Sequence, residues 1–519
     1  MKIHLADLLV IALYFAGTLG LGLWVSRRNR GSEQYFLGDR NFPGWAIGIS
    51  FIGAMISSVT FIALPADAFK TTWVRYLPNF AFPLVALFSA YAFLPFFRRG
   101  TVTSAYQYLG LRFGPSIAIY GAVVYFAAQI VRTASIVYLM AVLMSAMTGL
   151  GIGWGILIAG GITGLYTVKG GYSAVIWTDV VQTIVLMIGA VVVIGAVIAR
   201  LPGGVAEIFA AATEAGKFSL RDLDPATGRL EPLASGFSLT EKTATMLVLV
   251  GFVQFLTGKL NQESVQRWCS TKSPREARKS MLILGAGALP IWAVFMFMGT
   301  CLWVYYGRFP DEVSGGVLDG TLKAESILPH FIVTALPVGV SGLVISAALA
   351  AAMSTLSSAI NSVGMVLVND IWTPLRRRPL PESARLVAGR VAAAIVAFCM
   401  IGGAALFHLA DTKTLTDFSI IITAIFGGGM AGVFLLGMLS RRGDARAVLA
   451  GIVVTLLFTC WALLMQFGAL PRVFDPYYTA ILGNLIMIAV GYGASWIWRA
   501  PARDLTNLTV WDQSKEAMV

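Results

Sequence analysis

A soluble chain of 519 residues would divide into three to four domains at about 150 residues each, but the composition excludes that. Hydrophobic residues make up 57% and charged residues 12%, about half the charged share of a soluble domain, and mean hydropathy is +0.77. A polytopic membrane protein is predicted, and its net charge of +12 is expected to orient spans rather than to bind nucleic acid, because no basic amphipathic block accompanies it.

The first apolar run, 5–26, is followed by Arg27, Arg28 and Arg30 with no small-residue cleavage site before them. It predicts a retained extra N-terminal helix rather than a signal peptide. Runs long enough to cross about 30 Å of hydrocarbon continue at 45–66, 77–97, 117–147, 150–169, 174–199, 243–262, 281–305, 333–368, 387–410, 418–438, 446–467 and 476–498, giving about 13 transmembrane helices. Lipid offers backbone groups no partners, so the spans are helices, and no barrel-type strand pattern is present. With the N-terminus outside, 24 of the 38 Lys and Arg residues fall on the inner side, among them Arg112, Arg267 and Arg376-Arg377-Arg378. Twelve fall outside, five of them around the long 200–242 loop, which carries little weight in orientation. The N-terminus is therefore expected outside and the C-terminus in the cytoplasm. The 200–242 loop and the 306–332 segment read as caps, not domains. Cys269, Cys301, Cys399 and Cys460 show no CxxC or Cys/His spacing, so neither a disulfide nor zinc is expected.

Polar groups inside spans are costly and mark function by default. The second span contains Gly53-Ala54-Met55-Ile56-Ser57-Ser58-Val59-Thr60 and then Pro65, and the seventh contains Phe255-Leu256-Thr257-Gly258-Lys259. Small hydroxyl residues in mid-span mark either tight helix packing or an unwound point that faces a cavity. Two interruptions five spans apart fit an inverted five-plus-five repeat, 45–199 and 243–438, with two C-terminal helices over 446–498. Asp179 lies within the sixth span. Ser354, Ser357, Ser358 and Asn361 follow i, i+3, i+4, i+7 and share one helical face, with Thr355 at its edge. Such oxygen donors suit a hard cation, sodium above all. Arg132 in the fourth span either pairs with Asp179 or carbonyls, or presents its planar fork to a substrate carboxylate.

These residues resemble the sodium/solute symporter family, which includes the sodium/glucose cotransporters. The likeness rests on Tyr35-Phe36-Leu37-Gly38-Asp39-Arg40-Asn41-Phe42-Pro43-Gly44-Trp45-Ala46, on Lys169-Gly170-Gly171-Tyr172-Ser173-Ala174-Val175-Ile176-Trp177-Thr178-Asp179-Val180-Val181-Gln182 and on Val265-Gln266-Arg267. It spans about residues 5 to 500 and implies a LeuT-type fold with an extra N-terminal helix. It implies a first sodium site at the carbonyls of Gly53, Ile56 and Ala351 and the hydroxyls of Ser354 and Thr355. A second site, present in some members, would use Asp179, Ser357 and Ser358 with the Ser354 carbonyl. Within the family the chain is most similar to the bacterial sialic-acid branch, through Ser57-Ser58-x-Thr60, Thr103-Ser104-Ala105-Tyr106 and Arg132. That branch implies a carboxylate held by Arg132, Ser57 and Thr60, with Asn79, Arg75, Met55 and Phe252 completing the substrate set. Met55, Arg75 and Asn79 depart from the Thr, aromatic residue and Gln of that branch, and the extra cation Arg75 opens the option of a more acidic substrate.

The expected function is sodium-coupled import of a sugar acid such as sialic acid by alternating access, with one or two sodium ions, in the bacterial inner membrane and as a monomer. A neutral sugar, a polyol or another monocarboxylate is the alternative cargo. An intramembrane serine protease is disfavoured because no His or Lys stands near the Ser354–Ser358 cluster, and no soluble domain supplies a sensor output, so no enzyme is expected.

Overall fold

A computed structural model describes residues 4–27, 31–99, 102–223, 230–376, 381–409, 428–498 and 504–512. Among them nine helices are long and apolar enough to cross a membrane, or up to eleven when each of two sharply bent pairs counts as one span. The helix Ile152–Ile198 has 47 residues, about 70 Å at 1.5 Å per residue, which is twice a bilayer core. Its path breaks at Gly171, where φ is 59° and ψ is −157°. A Cβ there would lie 2.7 Å from the Tyr35 carbonyl oxygen, so only glycine suits this left-handed, crowded turn. Counting it as two spans matches every expected span except 418–438, of which Met430–Leu439 is helical and 418–427 lies outside the described residues.

Val340–Val366 is the axis of the molecule, and 94% of its spanning window is buried. Its run of Ala, Ser and Gly lets neighbouring helices approach closely. The first helix, Leu5–Ser26, is tied to it by Asp7, whose carboxylate accepts the Gly339 and Gly342 amides at 2.8 and 2.7 Å. A helix N-terminus favours such a charge.

The long loop carries short elements of its own. Gly204–Glu214 is helical, and Arg221–Leu223 pairs antiparallel with Leu230–Pro232. Asp224-Pro225 falls outside the described residues, as do Arg28, Arg30, Arg377 and Arg378.

Candidate functional site

Two broken spans meet in the interior. Gly44–Met55 ends at Ile56, whose φ and ψ of −95° and 106° are extended. Ser57 then caps Ser58–Lys70, its hydroxyl accepting the Thr60 amide at 3.4 Å, and the two halves bend by 60°. In the second, Asn261 caps Gln262–Ser270 by accepting the Ser264 amide at 2.9 Å, after a 59° bend from Ala244–Thr257. Ser and Asn favour such starts because a short side-chain oxygen satisfies an amide that the helix leaves open.

Asp179 lies against these breaks, fully buried. Its carboxylate accepts Ser50 Oγ at 2.6 Å, Ser354 Oγ at 2.8 Å, Ser358 Oγ at 3.3 Å and Ser357 Oγ at 3.5 Å. Arg267 Nη2 completes the cluster, 3.3 Å from Asp179 Oδ2 and 2.6 Å from Ser358 Oγ. A buried carboxylate needs this density of partners. Beside it, Thr355 Oγ1 lies 3.3 Å from both the Ala351 and Ala54 carbonyls. A Cβ on Gly53 would fall 3.1 Å from Ser354 Oγ and 2.3 Å from Thr183 Oγ1, so the backbone here approaches the serine-rich helix as no larger residue permits. Ile56 is buried next to it. The two oxygen-rich clusters share Ser354.

A cavity of about 620 Å³ opens above the breaks and reaches the side of the long loop, where Lys242 and Tyr477 line it. Its walls include Met55, Thr60, Arg75, Asn79, Arg132 and Phe255. Arg132 keeps 44% of its side chain exposed, donates to Gln129 Oε1 at 3.3 Å and stands 4.0 Å from Glu263. A guanidinium so placed offers free N–H groups to an anion. Arg75 pairs with Asp67 at 3.4 Å, which offsets the extra cation expected to favour a more acidic cargo.

Several expectations change in detail. Asp179 pairs with Arg267 and not with Arg132. Arg267 was expected as an inner-surface orientation charge, yet it is 2% exposed. Arg112, read the same way, is also buried and donates to the carbonyls of Gly437, Ser440, Arg442 and Gly443. Asn361 leaves the serine cluster and accepts Gln266 Nε2 at 2.7 Å. Phe252 does not line the cavity, and Phe255, packed 4.9 Å from Phe82, takes the aromatic place there. Ser57 adjoins the cavity through Thr60, their hydroxyls 3.4 Å apart. Sequence reasoning missed Ser50, Lys259, Glu263 and Arg267 as site residues. For Glu263, the signal was its place directly after the seventh-span break.

Known proteins resemble this chain in sequence and in fold. The sodium/sialic acid symporter SiaT of Proteus mirabilis strain HI4320 is 32% identical over 504 residues, covering 95% of each chain. The sodium/sialic acid symporter NanT of Aliivibrio fischeri is 27% identical over 92% of this chain and 90% of its own. The human sodium-coupled monocarboxylate transporter 1 is 27% identical over 86% and 72%. A solved Na+-coupled sialic acid symporter in a substrate-bound outward-open state superposes with a TM-score of 0.85, at 27% identity, covering 97% of this chain and all of that one. A nucleobase-cation-symport-1 family transporter, at 14% identity and a TM-score of 0.56 over 90% and 94%, shares the fold alone. The fold is thus LeuT-type, in an integral membrane protein. The sequence model of the sodium:solute symporter family matches residues 35–455, and the chain belongs to that family.

Proposed function

We propose that the chain imports sialic acid coupled to sodium, by alternating access, with its N-terminus outside and its C-terminus in the cytoplasm. The observation that carries this reading is the half-exposed Arg132 guanidinium in a cavity bounded by two broken helices, beside buried oxygen clusters. Arg132 and Thr60 hold the sugar carboxylate, with Asn79, Met55 and Ser57 near it. One sodium ion takes the carbonyls of Gly53, Ile56 and Ala351 with the Ser354 and Thr355 hydroxyls. A second takes Asp179, Ser357, Ser358 and the Ser354 carbonyl. Both sets are neutral oxygens with at most one carboxylate, which suits a hard monovalent cation.

Sodium stabilises the bent, outward-facing arrangement, and substrate binding then closes the half-helices over the cavity. A tenfold gradient contributes about 1.4 kcal/mol per ion, and a net charge moved through 100 mV contributes about 2.3 kcal/mol. Two ions with one monoanion therefore supply about 5 kcal/mol, enough for accumulation of several thousandfold.

The test is uptake of radiolabelled N-acetylneuraminate into proteoliposomes under an inward sodium gradient. Uptake is expected with sodium and absent with potassium, and Arg132→Ala is expected to lower it at least about tenfold. Equal uptake without sodium, or full activity of Arg132→Ala, rejects the reading.

A further inference from the structure

One charge in the cavity is left over. Five cations line it: Arg75, Arg132, Lys242, Lys259 and Arg267. Arg75 meets Asp67, Lys242 meets Asp222, Arg267 meets Asp179, and Arg132 stands 4.0 Å from Glu263. Among the described residues, no acid comes within ion-pair distance of Lys259. The residue is 5% exposed. Its ammonium lies 3.8 Å from Met55 Sδ and 5.0 and 5.4 Å from the rings of Phe51 and Phe82. A thioether and two π faces are weak partners for an ammonium withdrawn from water. Glu263 Oε1 instead accepts from Gln129 Nε2 at 2.5 Å and faces Arg132 at 4.0 Å.

Resting on the reading of this cavity as the transport site, we propose that Lys259 is a substrate anchor that, together with Arg132, selects a monoanion. Arg132, Lys259 and Glu263 sum to a single positive charge at the centre of the cavity. A cargo with one carboxylate neutralises it, a neutral sugar leaves the buried ammonium uncompensated, and a dianion brings a surplus negative charge. Lys259 stands at the break of the second bent span and touches Met55 at the end of the first half-helix. A carboxylate drawn to it therefore sits where both bends converge. Glu263 lowers the pull of Arg132 until the cargo arrives.

The test compares N-acetylneuraminate with its methyl ester, which keeps the sugar and loses the charge, in sodium-driven uptake and competition. Lys259→Met is expected to raise the half-saturation concentration for the acid about tenfold or more, with the ester's inhibition unchanged. Glu263→Gln changes the charge in the opposite direction and is expected to lower the acid's half-saturation severalfold. The double variant restores the original count and is expected to return near the parent. Sodium-induced thermal stabilisation without sugar reports whether each variant is folded, since the Asp179 cluster excludes both residues. If Lys259→Met does not fold, Lys259→Gln, which also removes the charge, is read in its place. An acid half-saturation that does not move in the folded variants overturns the role of Lys259. A parent chain that takes up no N-acetylneuraminate overturns the sialic-acid reading instead, and the same variants are then read with lactate. Charge-dependence with lactate upholds Lys259, its absence overturns it, and uptake of neither acid overturns both.

Discussion

Arg267 draws on the same oxygen atoms that the proposed second sodium ion would use. The guanidinium lies on Asp179 Oδ2 and Ser358 Oγ, while Asp179 Oδ1 faces the Ser354 and Ser357 hydroxyls. The carboxylate therefore has one oxygen engaged by the fixed cation and one turned toward neutral hydroxyls, the side on which the proposed second sodium ion would sit. Ser358 is the hinge between the two roles, because it donates to Asp179 and accepts from Arg267. Ser358→Ala leaves one Arg267 N–H unpaired in the interior, a loss of about 1–3 kcal/mol, and removes one sodium donor. Its sodium half-saturation in uptake is expected to rise severalfold, with a lower melting temperature. Unaltered sodium dependence would argue against a second ion. The i, i+3, i+4 spacing made three of these serines legible from sequence, and Asp179 was legible because a carboxylate in a span needs a reason. Arg267 was not, since an arginine just after an apolar run carries the same signature whether it meets lipid head groups or turns inward to a buried acid.

At the scale of the element, each bent span works as two short helices whose free ends must be held. The C-terminal end of Ser58–Lys70 is held by Lys217 from the long loop. Its ammonium donates to the carbonyls of Ala68, Phe69 and Thr71 at 3.3, 2.7 and 2.8 Å and lies 4.7 Å from the Trp303 ring. A cation at a helix C-terminus is favourable, yet burial outweighs these contacts and pulls the Lys217 pKa down to about 7. The unfolded chain, with an ordinary lysine near 10.4, binds more protons between these values. Stability is therefore expected to rise with pH from about 7 to about 10, by up to about 1.4 kcal/mol per unit, and to be insensitive to this group below 7. Lys217→Met should flatten that part of a melting-temperature profile, and parallel profiles for parent and variant would refute the clamp. The breaks themselves were readable from Gly53 to Ser57 and from Gly258-Lys259, because small residues and caps are local signals. The Lys217 clamp was not, because it joins residues almost 150 positions apart through a loop of ordinary composition.

At the scale of the whole molecule, orientation decides whether the cavity faces the substrate pool. The cavity reaches Lys242 and Tyr477, on the side of the long loop, so an external loop makes this an outward-facing state. The charge count behind that orientation loses Arg112 and Arg267, both buried in the protein. Lys217, on the other side of the count, is buried as well, so the asymmetry goes from 24 against 12 to 22 against 11, and the remaining bias still predicts the long loop outside. Glu241 in that loop and Arg275 at the start of Pro274–Arg308 are both exposed and are predicted to lie on opposite sides. With Cys460, the exposed native thiol, replaced by Ser, Glu241→Cys is expected to react with a membrane-impermeant maleimide in intact cells. Arg275→Cys is expected to react only after the membrane is opened. The reverse pattern would turn the cavity toward the cytoplasm and convert the proposed importer's loading state into its release state. The cavity takes its direction from the long loop it reaches, and the loop takes its side from the charge count, so the labelling pattern tests both at once.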